Sequence, residues 1–282
     1  MDIEALKKWS GRTETQHDAL SLMPLMAFAA TLGGEGPPVK AGDPIPPCAH
    51  WMYFLPLVPL GAIDTDGHPK RGGFLPPVPL PRRMWAAGSL EFLRPLASAA
   101  AVSRSSRIAD VSAKQGRSGS LVFVRVQHEI SDSKGVAIVE TQDIVYRDMP
   151  RAGDASPAPA NARTDEQFKR RVVPDPVLLF RYSALTFNSH RIHYDRPYAV
   201  QAEGYPGLVV HGPLIATLLM ELLRRHVPHL TVSAFEFKAV SPLFDTAPFD
   251  VCGRIDGDLA TLWARGPEGQ LAMQASARIS AN

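Results

Sequence analysis

The chain is short of cysteine, of net charge and of long apolar runs, and each shortage removes a class of function. Among 282 residues only Cys48 and Cys252 are cysteines. Two thiols cannot build a disulfide framework or a cysteine-rich zinc site, so both are expected as reduced thiols in a cytoplasmic protein. Thirty Lys and Arg stand against 28 Asp and Glu, a formal net charge of +2. A nucleic-acid binder carries a dense basic stripe. The longest basic runs here are Arg82-Arg83 and Lys169-Arg170-Arg171, so no nucleic-acid partner is expected. No stretch of about 18 apolar residues free of charge or proline exists, and no membrane partner is expected either. The opening Met1-Asp2-Ile3-Glu4 lacks the basic-then-apolar order of a secretory leader.

What is present is the composition of a soluble globular protein, 45% hydrophobic and 21% charged, long enough for two domains or one large one. Proline is abundant, at 26 residues. It clusters at 37–47, 56–59, 76–81 and 150–159, each cluster followed by a well-patterned apolar segment, so it punctuates the chain rather than disordering it.

Two stretches read as antiparallel meanders. The first runs from about Ala100 to Arg147, with Leu121 to Glu129 turning alternating and Asp132-Ser133-Lys134-Gly135 as a turn. The second closes the chain, from Ala234-Phe235-Glu236-Phe237 through turns at Asp256-Gly257 and Gly266 to Gly269, to a last strand over Leu271 to Ile279. Between them Arg151 to Ala160 is small and proline-rich and reads as a linker. The expected division is 1–150 for a first domain, 151–172 for the linker and 173–282 for a second domain. The halves echo one another: Leu90-Glu91-Phe92-Leu93-Arg94-Pro95-Leu96 resembles Phe235-Glu236-Phe237 continuing to Ser241-Pro242-Leu243. A helical segment before that strand and a meander after it are expected in each half.

Gly212-Pro213 suits a helix start. Leu214, Ile215, Leu218, Leu219, Leu222 and Leu223 then form an apolar stripe that a curved sheet could wrap. Arg224-Arg225-His226 suits the dipole at its end, and Pro228 stops it. A second helix is predicted from cap Asp175 and Pro176 through Ala184.

Asn188-Ser189-His190-Arg191-Ile192-His193-Tyr194-Asp195 is the segment richest in reactive groups. One reading is a metal site of His190, His193 and Asp195, disfavoured because no further ligand cluster lies near in sequence, so no metal or cofactor is expected. A second makes His190 a cap or packing residue and Arg191–Asp195 a surface ion pair. A third comes from resemblance. Arg181 to Asp195 resembles the hydratase motif of the MaoC-like, (R)-specific enoyl-CoA hydratases and dehydratases, in which Asp-x-Asn-Pro-Ile-His-x-Asp is the core. His193 falls on the motif histidine and Asp195 on the following acid. Gly207-Leu208-Val209-Val210-His211-Gly212 resembles the family's Val-His-Gly helix start, at a matching interval. Asn188 replaces the family's catalytic Asp, and His190-Arg191 its Asn-Pro. That variant, with Trp51 to Pro56 and Pro81 to Gly88, resembles the branch of itaconyl-CoA and mesaconyl-CoA hydratases and mitochondrial-type 3-hydroxyacyl-thioester dehydratases.

The resemblance implies an α+β double hot-dog fold, two antiparallel sheets each wrapped around a helix, with a first half that shapes the acyl pocket. It implies a hydro-lyase acting on an acyl-CoA thioester. His193 is then the base and proton carrier, Asn188 orients the water, and the Gly212 N–H at a helix N-terminus serves the thioester oxygen. Arg191, His190, Asp195 and Arg83 are the candidate substrate contacts. The expected reaction is hydration of itaconyl-CoA or mesaconyl-CoA to citramalyl-CoA. The alternatives are a 3-hydroxyacyl-thioester dehydratase of fatty-acid synthesis and a non-catalytic acyl-thioester-binding protein. Exposed sheet edges suit pairing into a homodimer.

Overall fold

The computed structural model describes residues 1–34, 39–116, 119–149 and 159–281. In the first half, α1 (Ile3–Lys7), β1 (Thr13–Ala19) and α2 (Leu22–Thr31) precede β2 (Arg82–Phe92), β3 (Ala101–Gly116), β4 (Gly119–Asp132) and β5 (Gly135–Arg147). In the second, β6 (Phe168–Val172), α3 (Pro176–Leu185) and α4 (Gly212–His226) precede β7 (Leu230–Ala239), β8 (Phe249–Asp256), β9 (Leu259–Arg265) and β10 (Leu271–Ala281).

Both meanders form as the alternation and turn residues require. β4 buries Val122, Val124, Val126, His128 and Ile130 on one face, and Asp132 pairs with Gly135 across the expected turn. The ten strands make one sheet in the order β1-β3-β4-β5-β2-β7-β10-β9-β8-β6. Read outward from the middle, both halves follow the same plan, so the internal echo is a structural repeat. The echoing segments are themselves partners at the joint, where Leu90 faces Phe235 and Gly88 faces Phe237. A side chain at Gly88 would meet the Phe237 ring at 2.6 Å, so glycine admits that close crossing.

Helix α4 starts and stops where the sequence indicates, and its leucine stripe is buried. Ala216, Thr217 and Met220, off that stripe, are buried as well, so the helix is enclosed nearly all round. Helix α3 has Pro176 in its first turn, and its cap Asp175 accepts from Leu178 N–H at 2.9 Å.

The helices of the two halves differ in length. α2 has 10 residues and packs beside α3 and the short turn Ala49–Met52, and among the described residues of 32–81 there is no helix comparable to α4. The prolines crowded into that stretch remove amide donors and block helix propagation. The linker expected over 151–172 ends earlier, because Phe168–Val172 is edge strand β6, paired with β8. Residues 151–158 of that linker lie outside the described residues. Cys48 and Cys252 are buried free thiols, and no described helix is long and apolar enough to cross a membrane.

Candidate active site

Helix α3 ends at Leu185, and the chain turns through Phe187 in a left-handed conformation (φ 49°). Asn188 closes the next turn, its Oδ1 accepting from His190 N–H at 3.0 Å. That leaves the amide Nδ2 and the second lone pair of the oxygen for a ligand. A short 3-10 turn, Arg191–His193, then drives Ile192 and His193 inward.

His193 is the most determined member of the cluster. Its Nδ1 donates to the Val209 carbonyl at 2.7 Å, which fixes the tautomer and leaves Nε2 as a lone pair with no protein partner among the described residues. Burial disfavours the imidazolium and pushes its pKa down to about 4, against the opposing hydrogen bond to Val209. It is therefore neutral near pH 7 and competent as a base. The His211 ring stacks on it at 3.7 Å between centroids, and His211 Nε2 meets Ser183 Oγ at 2.8 Å. His211 thus ties α3 to the start of α4. Gly212 follows it, and its N–H in the first helical turn has no carbonyl one turn back to bond. A Cβ there would meet only the Trp85 carbonyl, at 3.7 Å, so packing alone does not require the glycine.

His190 makes no ring hydrogen bond among the described residues. Its ring lies edge-on to His193 at 5.4 Å and against His68 at 3.9 Å. Burial, then the neighbouring His68 and His193, lower its pKa far below the ordinary value.

His68 and its partner Asp66 carry no motif signal in the sequence. They come from the first half, on a tight turn in which Gly67 N–H donates to the Asp64 carbonyl and Asp64 N–H to the His68 carbonyl. Gly67 has φ +90°, and a Cβ there would fall 1.8 Å from the Ser189 carbonyl oxygen. The turn is seated on the motif segment: Arg191 N–H donates to the Asp66 carbonyl at 2.9 Å, and Ser189 Oγ to the Gly67 carbonyl at 2.5 Å. Asp66 Oδ2 accepts from His68 Nδ1 at 2.9 Å. Burial would raise the Asp66 pKa, but the hydrogen bond and charge of His68 outweigh it and hold the carboxylate ionised. Burial, reinforced by Arg83 and Arg71, outweighs Asp66 and lowers the His68 pKa.

Of the other predicted contacts, Arg191 is spent on Asp195 through Nε and Nη2 (2.9 and 2.7 Å), on the Thr65 carbonyl and on the Tyr198 ring. Asp195 also accepts from Tyr198 N–H. This pair braces the loop and leaves Asp195 turned to Arg191 rather than to the histidines, so the His190, His193, Asp195 metal set does not assemble. Asp66, His68 and His190 do place ligand atoms within 4.8 Å of one another, but Asp66 already accepts from His68. Arg82 pairs with Glu203 at 3.1 Å. Its neighbour Arg83 is half-buried, makes no hydrogen bond or ion pair among the described residues, and acts electrostatically on both His68 and His190. A groove of about 350 Å³ is lined by Val58, Leu60, Ile63, Phe180 and Phe187 together with Ser183 and Asn188.

A family model for hydroxyacyl-thioester dehydratase type 2 matches residues 48–245. The chain is 48% identical over 272 residues to the mesaconyl-C(4)-CoA hydratase of Chloroflexus aurantiacus, covering 96% of each. It is 30% identical over 273 residues to the mitochondrial hydroxyacyl-thioester dehydratase type 2 of Schizosaccharomyces pombe, covering 86% of this chain and 90% of that one. In fold it matches a MaoC-like dehydratase from Phytophthora capsici with a TM-score of 0.70 at 14% identity, over 100% of this chain and 99% of that one.

Proposed function

The chain belongs to the hydroxyacyl-thioester dehydratase type 2 family and is a hydro-lyase of the MaoC-like double hot-dog type, and from that premise we propose that it hydrates a short branched dicarboxylyl-CoA, mesaconyl-C4-CoA before itaconyl-CoA, to citramalyl-CoA. Arg83 is the observation that carries this choice. In a mesaconyl thioester joined to CoA through C4, the free carboxylate sits on the same carbon that takes the hydroxyl. A cation for that carboxylate must therefore lie beside the base, not at the far end of a tunnel. Arg83 is a half-buried guanidinium with no ion pair among the described residues, and its charge acts on His68 and His190; such a group is well made to hold a planar anion. The mesaconyl-C(4)-CoA hydratase relationship supports the same substrate class.

In the reaction, neutral His193 takes a proton from water at Nε2 as the oxygen bonds to the β-carbon. The electron pair of the double bond moves toward the thioester oxygen, where the Gly212 N–H at the positive end of α4 stabilises the developing charge. His193 returns the proton to the α-carbon, so the net change is addition of one water. The largely apolar groove lined in part by Ser183 and Asn188 suits the uncharged arm that carries the thioester.

A second reading rests on that same groove, whose exposed Leu60 and Phe180 would also receive the chain of a 3-hydroxyacyl thioester. A binding-only role is set aside, because the relatives are hydratases and dehydratases. The deciding experiment adds purified protein to mesaconyl-C4-, itaconyl- and crotonyl-CoA, following loss of enoyl-thioester absorbance for the first and last and formation of the hydroxyacyl-CoA by chromatography for itaconyl-CoA. Turnover confined to the dicarboxylyl substrates is expected. Crotonyl-CoA turned over as fast as the dicarboxylyl thioesters would transfer the assignment to the fatty-acyl reading.

A further inference from the structure

We propose that His68, oriented by Asp66, is a second catalytic residue, supplied by the first half of the chain to hold the attacking water from the side opposite His193. The inference rests on the hydratase reading above and adds to it a group outside the motif.

The need arises from Asn188. An amide in the place of the motif carboxylate has one oxygen, and here that oxygen already accepts from His190 N–H. Asn188 therefore offers a water only the second lone pair of an oxygen already engaged, where a carboxylate would offer a whole free oxygen. A water attacking the β-carbon has two O–H bonds to place. His193 Nε2 takes one, and an acceptor on a neighbouring element can take the other. His68 has the form such an acceptor requires. Its Nδ1–H is committed to the ionised Asp66 at 2.9 Å, so Nε2 carries a lone pair, and that atom has no protein partner among the described residues. Its ring lies 3.9 Å from His190, which in turn lies 5.4 Å from His193, and a charge on His68 is felt at His193.

The surroundings fix the placement. Gly67 abuts the Ser189 backbone, and hydrogen bonds from Arg191 N–H and Ser189 Oγ pin the turn to the segment that carries His190 and His193. A loop joined this tightly across 122 residues holds its imidazole on a defined element, as a reacting water requires. One water proton passes to His193 and on to the α-carbon. The other stays on the oxygen, hydrogen-bonded to His68, and becomes the product hydroxyl hydrogen. His68 itself gains and loses none. Asp66 is a positioning residue that fixes the His68 tautomer.

The test measures kcat and KM of His68→Ala, Asp66→Asn, Asn188→Asp and the His68→Ala/Asn188→Asp double variant on whichever enoyl-CoA the unaltered protein hydrates, with circular dichroism and Tm on each. His68→Ala is expected to lose at least about tenfold in kcat with KM changed less, below the roughly 10²–10⁴-fold of a group that itself carries the proton. Asp66→Asn should lose less, also in kcat. The double variant should regain part of the loss, because a carboxylate at position 188 keeps one oxygen on His190 N–H and offers the other to water. Near-normal kcat in His68→Ala, or a loss that the double variant does not relieve despite a native Tm, overturns the proposal. Both outcomes leave the hydratase reading standing, since that reading fails only if the unaltered protein is inactive or His193→Ala is not.

Discussion

Both halves of this molecule must fill the concave side of a five-stranded sheet, and they fill it with different material. The second half uses α4, a 15-residue helix buried almost all round. The first half uses the 10-residue α2, with Leu25 and Phe28 in the main core, and irregular chain from residue 39 onward, whose Ile45, Cys48, Met52 and Tyr53 pack into the same core and whose Val78 and Leu80 cap a smaller core over β3, β4 and β5. A helix satisfies its own backbone and holds its side chains in one register. Irregular chain can reach sideways, and this one sends Asp64 to His68 across to the other half's motif. The half with only short helices is thus the half that contributes a loop to the site.

Histidines divide by role rather than by half. In the first half, buried His50 is tied through Nε2 to Glu140 at 3.0 Å, and buried His128 through Nδ1 to Ser106 at 2.8 Å. Those rings are tied to structural partners. His193 and His68 are anchored through Nδ1 alone, which leaves Nε2 for chemistry.

The sharpest way to break this comparison is to remove the second-half base. His193→Ala is expected to cost roughly 10²–10⁴-fold in kcat, the scale of a general acid–base group, read by enoyl-CoA hydration. Next comes the cation on β2. Arg83→Gln should raise KM for mesaconyl-C4-CoA about tenfold or more, because a hydrogen bond to a charged group is worth about 1.5–3 kcal/mol. The same variant should leave whatever crotonyl-CoA turnover exists unchanged, and an equal effect on both substrates would detach Arg83 from the carboxylate.

Gly67→Ala probes the loop itself. Its left-handed backbone costs an L-residue roughly 1–2 kcal/mol, and the new methyl must displace the Ser189 carbonyl. We expect about a tenfold loss of kcat with a small fall in Tm. A large fall in Tm with kcat retained would show the loop to be a brace only.

A pH series tests the burial of His193. Its folded pKa of about 4 lies below the unfolded value near 6.5. Between those values the unfolded chain binds the extra proton, so this contribution to stability is complete above about pH 6.5 and is lost as pH falls toward 4. Chemical denaturation at pH 7, 5.5 and 4.5 should follow that sign, and kcat should not fall off at the usual histidine value. The smallest effect belongs to Arg191. Its ion pair with Asp195 is partly exposed, so Arg191→Ala should lower stability by less than about 1 kcal/mol and move KM by no more than a few-fold.

Much of this molecule is legible in its sequence. The period of the leucines, with Gly212-Pro213 before them and Pro228 after, determines α4, because helix geometry and proline sterics are local. Alternation and Asp/Gly turns determine the meanders for the same reason, and the spacing of His193 from Gly212 singles out the motif half of the site. What sequence could not supply depends on contacts distant along the chain. That Asn188 gives its oxygen to a neighbouring N–H, that Arg191 is taken by Asp195 while Arg83 has no ion pair among the described residues, and that Gly67 presses on Ser189 are facts of packing. Asp66 and His68 look like an ordinary polar turn in a proline-rich stretch, and the only local hint is an Asp-Gly-His run. Residue types and their periods determined the scaffold and the motif base. Only the tertiary structure decided which nitrogens and cations were left unpaired at the site, because pairing depends on every group that comes within about 3 Å, whatever its distance in sequence.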